Sequence, residues 1–259
     1  MSGSLPTPLA DLLGYLRDLG YGDLYLGPAG PAPAPTAPAT AVQAPAASPP
    51  IALPAVESRV RLPPRTEPGE RAQRLAVVAE EAAGCTACRL AQGRNRVVFG
   101  SGDPDAELMF IGEGPGAEED RQGLPFVGRA GELLTKIIQA IDLGREQVYI
   151  ANIVKCRPPG NRDPEADEAA ACRGFLDRQI ELVQPRVIVA LGRIAAQSLL
   201  GTDTPISKLR GQWYTVQGIP TMVTFHPAAL LRNPALKRPT WDDMQKVRDR
   251  LRASGAATP

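Results

Sequence analysis

The chain has 259 residues, with 29 Lys and Arg against 28 Asp and Glu, a single His, and a net charge of +1 at pH 7. That balance excludes a uniformly basic nucleic-acid coat but permits a local basic face. No apolar run approaches the roughly 18 residues of a membrane span, and no basic-then-apolar leader opens the chain. The cytoplasm is therefore the expected compartment, where disulfides are rare and four cysteines call for another explanation.

Three zones follow in chain order. In residues 6–26, Leu9, Leu12, Leu13, Leu16 and Leu19 recur at helical spacing, ended by Gly20 and Gly22. This short helix (zone 1–26) either docks on its own domain or binds a protein partner from a tether. Residues 27–68 hold 12 Pro and 11 Ala and no aromatic residue, a composition that predicts a disordered, extended linker. Residues 69–253 are left as one ordinary domain, with 254–259 as a flexible tail.

Within that domain the pattern predicts helices over 70–83, 130–142, 164–183, 193–200 and 240–252. It predicts strands over 107–112, 148–154, 187–191, 212–216 and 221–225, the last two around a Gly-Ile-Pro turn. Strands alternating with helices predict an α/β domain with a mostly parallel sheet. Working residues in such sheets follow the strand C-termini, which selects 112–126, 152–161 and 226–232.

The cysteines are Cys85-x2-Cys88, then Cys156, then, after fifteen intervening residues, Cys172. Four buried small residues is the bland alternative. Four thiolates can also hold tetrahedral zinc or an iron–sulfur cluster, and the uneven second spacing favours a cluster. A redox C-x-x-C fits the first pair and leaves Cys156 and Cys172 unexplained.

The segment GEGPGAEEDRQGLPFVGRAG (112–131) matches the dinucleotide fingerprint only formally. Glu113, Glu118, Glu119 and Asp120 would repel a pyrophosphate, and Pro115 removes a donor. Gly112, Gly114 and Gly116 instead suit close backbone approach to a small planar ligand. Phe126 is either core or a stacking platform for a base. His226, the sole histidine, opens HPAALLRNPALKRPTW. Leu230 and Leu231 with Arg232, Lys237 and Arg238 read as an apolar wedge beside phosphate-gripping cations, or else as a loop capping the core.

Taken together, CTACRL, the 112–131 segment, YIANIVKCRPPGNRDP, CRGFLDRQI, ALGRIAAQSLLG and TFHPAALLRN resemble the family 4, iron–sulfur uracil-DNA glycosylases over about residues 75–250. The resemblance implies the three-layer α/β/α fold of that family with a mostly parallel central sheet. It also implies a [4Fe-4S] cluster on Cys85, Cys88, Cys156 and Cys172. It does not cover residues 1–70. The wider superfamily often carries a water-activating Asp or Asn where this chain has Gly114, a departure the family shares. A related enzyme that traps its product on a histidine has a basic insertion absent after Gly123, so turnover is expected.

The implied activity is hydrolysis of the N-glycosidic bond of deoxyuridine in single- or double-stranded DNA by a monomer, the first step of base excision repair. Under it, Phe126 stacks on the flipped base, Asn152 reads the uracil edge with its amide, and Gly112–Gly114 backbone lines the rest. His226 donates a hydrogen bond to the anion developing at O2. By resemblance Asn161 positions water, and Glu113 organises the pocket or favours the sugar cation. The alternatives are a glycosylase for another deaminated base and a non-catalytic iron–sulfur DNA-binding module.

Overall fold

The computed structural model describes residues 68–253. The expected N-terminal helix within 1–26, the linker up to residue 67 and the 254–259 tail lie outside the described residues. Pro68, placed in the linker by composition, begins the first helix.

Helix α1 (Pro68–Ala83) leads through a short turn to the edge strand β1 (Ser101–Gly102) and the central strand β2 (Leu108–Gly112). Helices α2 (Ala117–Gln122) and α3 (Arg129–Gln139) follow, then β3 (Tyr149–Asn152), α4 (Ala166–Val183) and β4 (Val187–Leu191). The chain continues through α5 (Gly192–Leu200), α6 (Ile206–Leu209), β5 (Trp213–Val216) and β6 (Ile219–Thr224). It ends with α7 (Pro227–Arg232) and α8 (Lys237–Ala253).

The sheet order is β1-β3-β2-β4-β6-β5. The four inner strands run parallel, and β1 and β5 pair antiparallel at the two edges. Side chains alternate between two apolar cores, as strand geometry requires. Met109, Ile111, Ile188 and Ala190 face α1, α4 and α5 through Leu75, Val78, Leu176, Ile180, Ala195 and Ala196. Leu108, Phe110, Val187 and Val189 face α3 and α8 through Leu134, Ile138, Met244 and Val247. Both faces of β2 and β4 are covered, which explains their unbroken apolar sequences. The domain is the expected three-layer α/β/α sandwich.

Two local expectations are corrected. The β5–β6 turn is Gln217-Gly218, both at positive φ (50° and 81°), the two-residue hairpin geometry; Ile219 and Pro220 already belong to β6. The 226–232 segment is not a loop but the helix α7, capped by His226 and with Pro227 in its first turn. Among the described residues no helix is long and apolar enough to cross a membrane.

Candidate active site

The parallel register sets the ends of the inner strands level: Gly112 pairs with Asn152, and Leu191 with Thr224. The residues that follow these ends surround one pocket of about 510 Å³. Its walls include Glu113, Gly114, Phe126, Asn152, Asn161 and His226, so the sequence-selected residues of all three segments meet there. Arg232 sits on its rim.

Asn152 is 2 % exposed, and its Oδ1 has no hydrogen-bond partner among the described residues. An unsatisfied buried acceptor costs about 1–3 kcal/mol, which a structure tolerates where a ligand supplies the donor. The same oxygen and the Phe126 ring explain Gly112. A Cβ there would lie 2.5 Å from Asn152 Oδ1 and 2.6 Å from Phe126 Cζ. Glycine at 112 therefore makes room for two pocket side chains rather than for a phosphate. At Gly114 a Cβ would meet Val154 Cγ2 at 2.8 Å.

Phe126 is 6 % exposed; it joins the second core, as one of its two readings expected, and it also lines the pocket. Its backbone φ of 52° is unusual for a non-glycine residue. Glu119 holds that turn. Its Oε1 accepts from the amides of Val127 (2.9 Å) and Gly128 (3.0 Å), and its Oε2 from Gly116 (3.1 Å). Asp120, fully buried, accepts from the Asn95 amide at 2.9 Å. These acids are structural staples, which sequence alone read only as repulsive charge.

His226 caps α7: its Nδ1 accepts the Ala228 amide at 3.1 Å. That bond leaves the proton of the neutral ring on Nε2. Burial chiefly, with help from the Arg232 charge and against the pull of Glu119, lowers its pKa to about 4. The ring is thus a neutral donor at pH 7. It stacks against Phe126 with centroids 5.5 Å apart and planes at 30°. Gly192, which sequence reasoning did not single out, permits this. It lies at φ 90°, and a Cβ there would come within 2.8 Å of His226 Cβ.

Glu113 has the opposite shift. Burial first, then the neighbouring Asp163 carboxyl, which also shares a hydrogen bond with it, raise its pKa to about 7 against the pull of Arg193. Asp163 in turn pairs with Arg193. Neither Asp163 nor Arg193 was legible as a pocket residue, because both are ordinary surface charges in the sequence. Asn161 is exposed at the rim, at φ 55°, and its Oδ1 accepts from Arg157 Nε at 2.7 Å. Asn161 also lines the pocket wall.

The wedge reading needs correction at Leu230. Leu230 is 2 % exposed, whereas Leu231 is 46 % exposed. Consecutive helical residues point about 100° apart, and α7 packs Leu230 inward while turning Leu231 out. Lys237 and Arg238 do not line the pocket. Lys237 is half-buried at the start of α8, and Arg238 pairs with Asp242 one turn along at 3.2 Å.

On another part of the domain, Cys85, Cys88, Cys156 and Cys172 line one small cavity. Sulfur-directed donors surround it: the Ala87 amide to Cys85 (3.5 Å), Arg94 Nη1 to Cys156 (3.4 Å) and the Lys155 amide to Cys172 (3.3 Å). Among the described residues no three His, Cys, Asp or Glu side chains form a group that could hold a single metal ion. Glu168, buried, links this region to the pocket rim. It accepts two bonds from Arg162 (2.6 and 2.8 Å) and one from Arg89 (2.8 Å), and Arg162 chiefly holds its pKa near 2.

A pocket at the strand C-termini of a mixed α/β/α sheet defines a ligand site of the doubly wound kind. The model of the uracil DNA glycosylase superfamily matches residues 99–246. A type-4 uracil-DNA glycosylase of Sulfurisphaera tokodaii is 47% identical over 68% of this chain and 84% of its own. One from Thermotoga maritima is 45% identical over 71% of this chain and 98% of its own. A type-5 uracil-DNA glycosylase of Pyrobaculum aerophilum is more distant, at 33% identity over 50% of this chain and 64% of its own. The chain belongs to the type-4 uracil-DNA glycosylases.

Proposed function

We infer that the chain is a DNA repair enzyme that hydrolyses the N-glycosidic bond of deoxyuridine in DNA, releasing uracil and leaving an abasic site. The observation that carries this reading is the unpartnered, buried Oδ1 of Asn152, set against the Phe126 ring in a pocket that also holds a neutral histidine. Uracil offers an N3–H to that oxygen and an O4 to the amide nitrogen. Cytosine offers an acceptor and an amine in the same places, and both mismatch.

A base in a duplex must leave the stack to reach such a pocket, at a cost of a few kcal/mol. Leu231, exposed on the rim helix, is the side chain suited to fill the vacated space, while Arg232 suits a flanking phosphate. Phe126 then stacks on the flipped ring. As the bond breaks, electrons pass to the uracil ring and positive charge grows on the sugar. Nε2–H of His226 donates to the anion forming on the base, a contact stronger in the transition state than in the ground state. Glu113, once ionised, stabilises the sugar cation, and the Asn161 amide nitrogen orients the attacking water. The water oxygen bonds to the sugar carbon, its proton leaves to solvent or carboxylate, and the base departs with the bonding pair.

The four cysteines fit a [4Fe-4S] cluster. They share one cavity, and N–H groups point at the sulfurs of Cys85, Cys156 and Cys172. Such a cluster, ligated by Cys85, Cys88, Cys156 and Cys172, supplies a cross-link between the 85–88 turn, the end of β3 and α4, with no electron transfer needed by hydrolysis. The test of the activity is release of free uracil from a uracil-containing oligonucleotide, beside a cytosine-containing control. No release from either single- or double-stranded substrate by iron-loaded protein would overturn the reading.

A further inference from the structure

Lys155 is 1 % exposed, yet no carboxylate pairs with it among the described residues. Its ammonium donates to the backbone oxygen of Asn152 at 2.8 Å and to Gln179 Oε1, and lies 5.8 Å from the centre of the Phe99 ring. All of these partners are neutral. A buried cation without an anion is costly: either a counter-charge is supplied or the group gives up its proton.

The missing anion has one candidate among the described residues. Lys155 lines the same small cavity as Cys85, Cys88, Cys156 and Cys172, and its own amide donates to Cys172 Sγ at 3.3 Å. Four thiolates around a cluster carry net negative charge there. We propose that Lys155 is a positioning residue that joins the two sites: its ammonium is the buried counter-cation of the thiolate cage and, through its bond to Asn152 O, the strut that fixes the uracil-reading amide.

This rests on the cluster and on the base-reading role of Asn152. It goes beyond them by assigning a residue that touches neither DNA nor base. The Asn152 side-chain oxygen makes no hydrogen bond among the described residues, so it does not hold the residue in place. Its backbone is held in the β2–β3 pairing with Gly112, and its carbonyl takes in addition a charge-assisted bond from the Lys155 ammonium.

The experiment compares iron-loaded wild type, Lys155→Met and Gln179→Glu. Lys155→Met keeps the apolar stem and removes charge and donor together. Its iron content should stay at the wild-type level. The midpoint potential of the cluster's observable couple should fall, because a nearby cation favours the more negative state. Single-turnover uracil release should slow by about tenfold or more, the worth of one charge-assisted bond, with the loss in the rate constant at saturating DNA. Selectivity for uracil over cytosine should narrow. A protein that merely packed Lys155 would show no potential shift.

Gln179→Glu adds a carboxylate beside the ammonium while keeping its acceptor. The potential should fall again, but uracil release should stay within about threefold of wild type, since a bond of typical net worth is at stake elsewhere. Should Lys155→Met fail to fold or to hold iron, Gln179→Glu decides: an unmoved potential overturns the counter-cation assignment. Unchanged rate and selectivity in folded, iron-loaded Lys155→Met overturn the strut. Wild-type protein that binds no iron overturns the cluster reading beneath the proposal, a distinct and separately visible result.

Discussion

Replacing Glu113 by Gln should stabilise the fold at high pH and not at low pH. Burial, then Asp163, raise this carboxyl from 4.5 to about 7. At about 1.4 kcal/mol per tenfold in proton affinity, that corresponds to about 3 kcal/mol of preference for the neutral form. Solvent entering through the open pocket screens part of it, leaving about 1–2 kcal/mol. Below about pH 4.5 both folded and unfolded chains hold the proton, and the shift has no effect. Between pH 4.5 and 7 the unfolded chain ionises first, so stability falls as pH rises, and the full penalty stands above about pH 7. Gln resembles the protonated acid, so Glu113→Gln should match wild type near pH 4 and exceed it by about 1–2 kcal/mol near pH 8.5. The assay is urea unfolding of both proteins, followed by circular dichroism at the two pH values. A difference independent of pH, or one that favours wild type more as pH rises, would refute the account of a desolvated carboxyl. Uracil release by the variant should meanwhile be lower, because it lacks the carboxylate proposed above to stabilise the sugar cation.

Purified protein should be brown and carry about four irons per chain; colourless, fully active protein with one zinc would contradict the cluster. Asn152→Asp should slow uracil release, since an ionised carboxylate cannot donate to O4; release at the wild-type rate would remove this residue from base reading. Leu231→Ala should slow release from a stable duplex far more than from single-stranded DNA, where little stacking is broken, and equal losses would sink the wedge. His226→Ala should cost about 10²–10³ in single-turnover rate with DNA binding nearly kept, and a near-normal rate would shift the burden to Asn161 and Glu113. Removing residues 1–67 should leave release from short oligonucleotides close to wild type, because the pocket residues span 113–232; a large loss with the cluster retained would place that segment on the DNA-binding surface.

The elements that the sequence predicted best are those buried on both faces. The run 187–191 is the observed β4, because a strand between two helical layers has no polar side to confuse its limits. The helix α7 escaped notice because it has only six residues, too few to display a period, and begins His-Pro after a strand. That omission moved the wedge by one residue, from Leu231 to Leu230. The pocket members on strand ends were legible because topology places strand C-termini together whatever the sequence between them. Gly192, Asp163, Arg193 and Glu119 were not, since each acts through a neighbour distant in the chain: His226 for Gly192, Glu113 for the next two, and the Phe126 turn for Glu119. Spacing suggested that the four cysteines converge, but nothing in the spacing could show that Lys155 lies beside them with its charge turned toward Asn152.

Two titrating groups of the pocket, His226 and Glu113, are moved in opposite directions by one cause. Burial lowers His226 to about 4 and raises Glu113 to about 7, and both changes favour the uncharged form. The nearby charges adjust this without reversing it: Arg232 reinforces the shift of His226, and Asp163 that of Glu113. A flipped uracil is itself neutral, so it enters a pocket whose base-facing histidine carries no net charge. Charge appears only as the glycosidic bond lengthens, negative on the base and positive on the sugar. A neutral Nε2–H then gains strength as its acceptor becomes an anion, and it pays no desolvation penalty beforehand, as an imidazolium would. The Nδ1 bond to the Ala228 amide makes this arrangement durable, because protonating Nδ1 would break the cap of α7 as well as bury a charge. The helix that carries Leu231 and Arg232 is thus started by the same ring that is proposed to meet the leaving base, so under that reading a displacement of α7 would act directly on the donor.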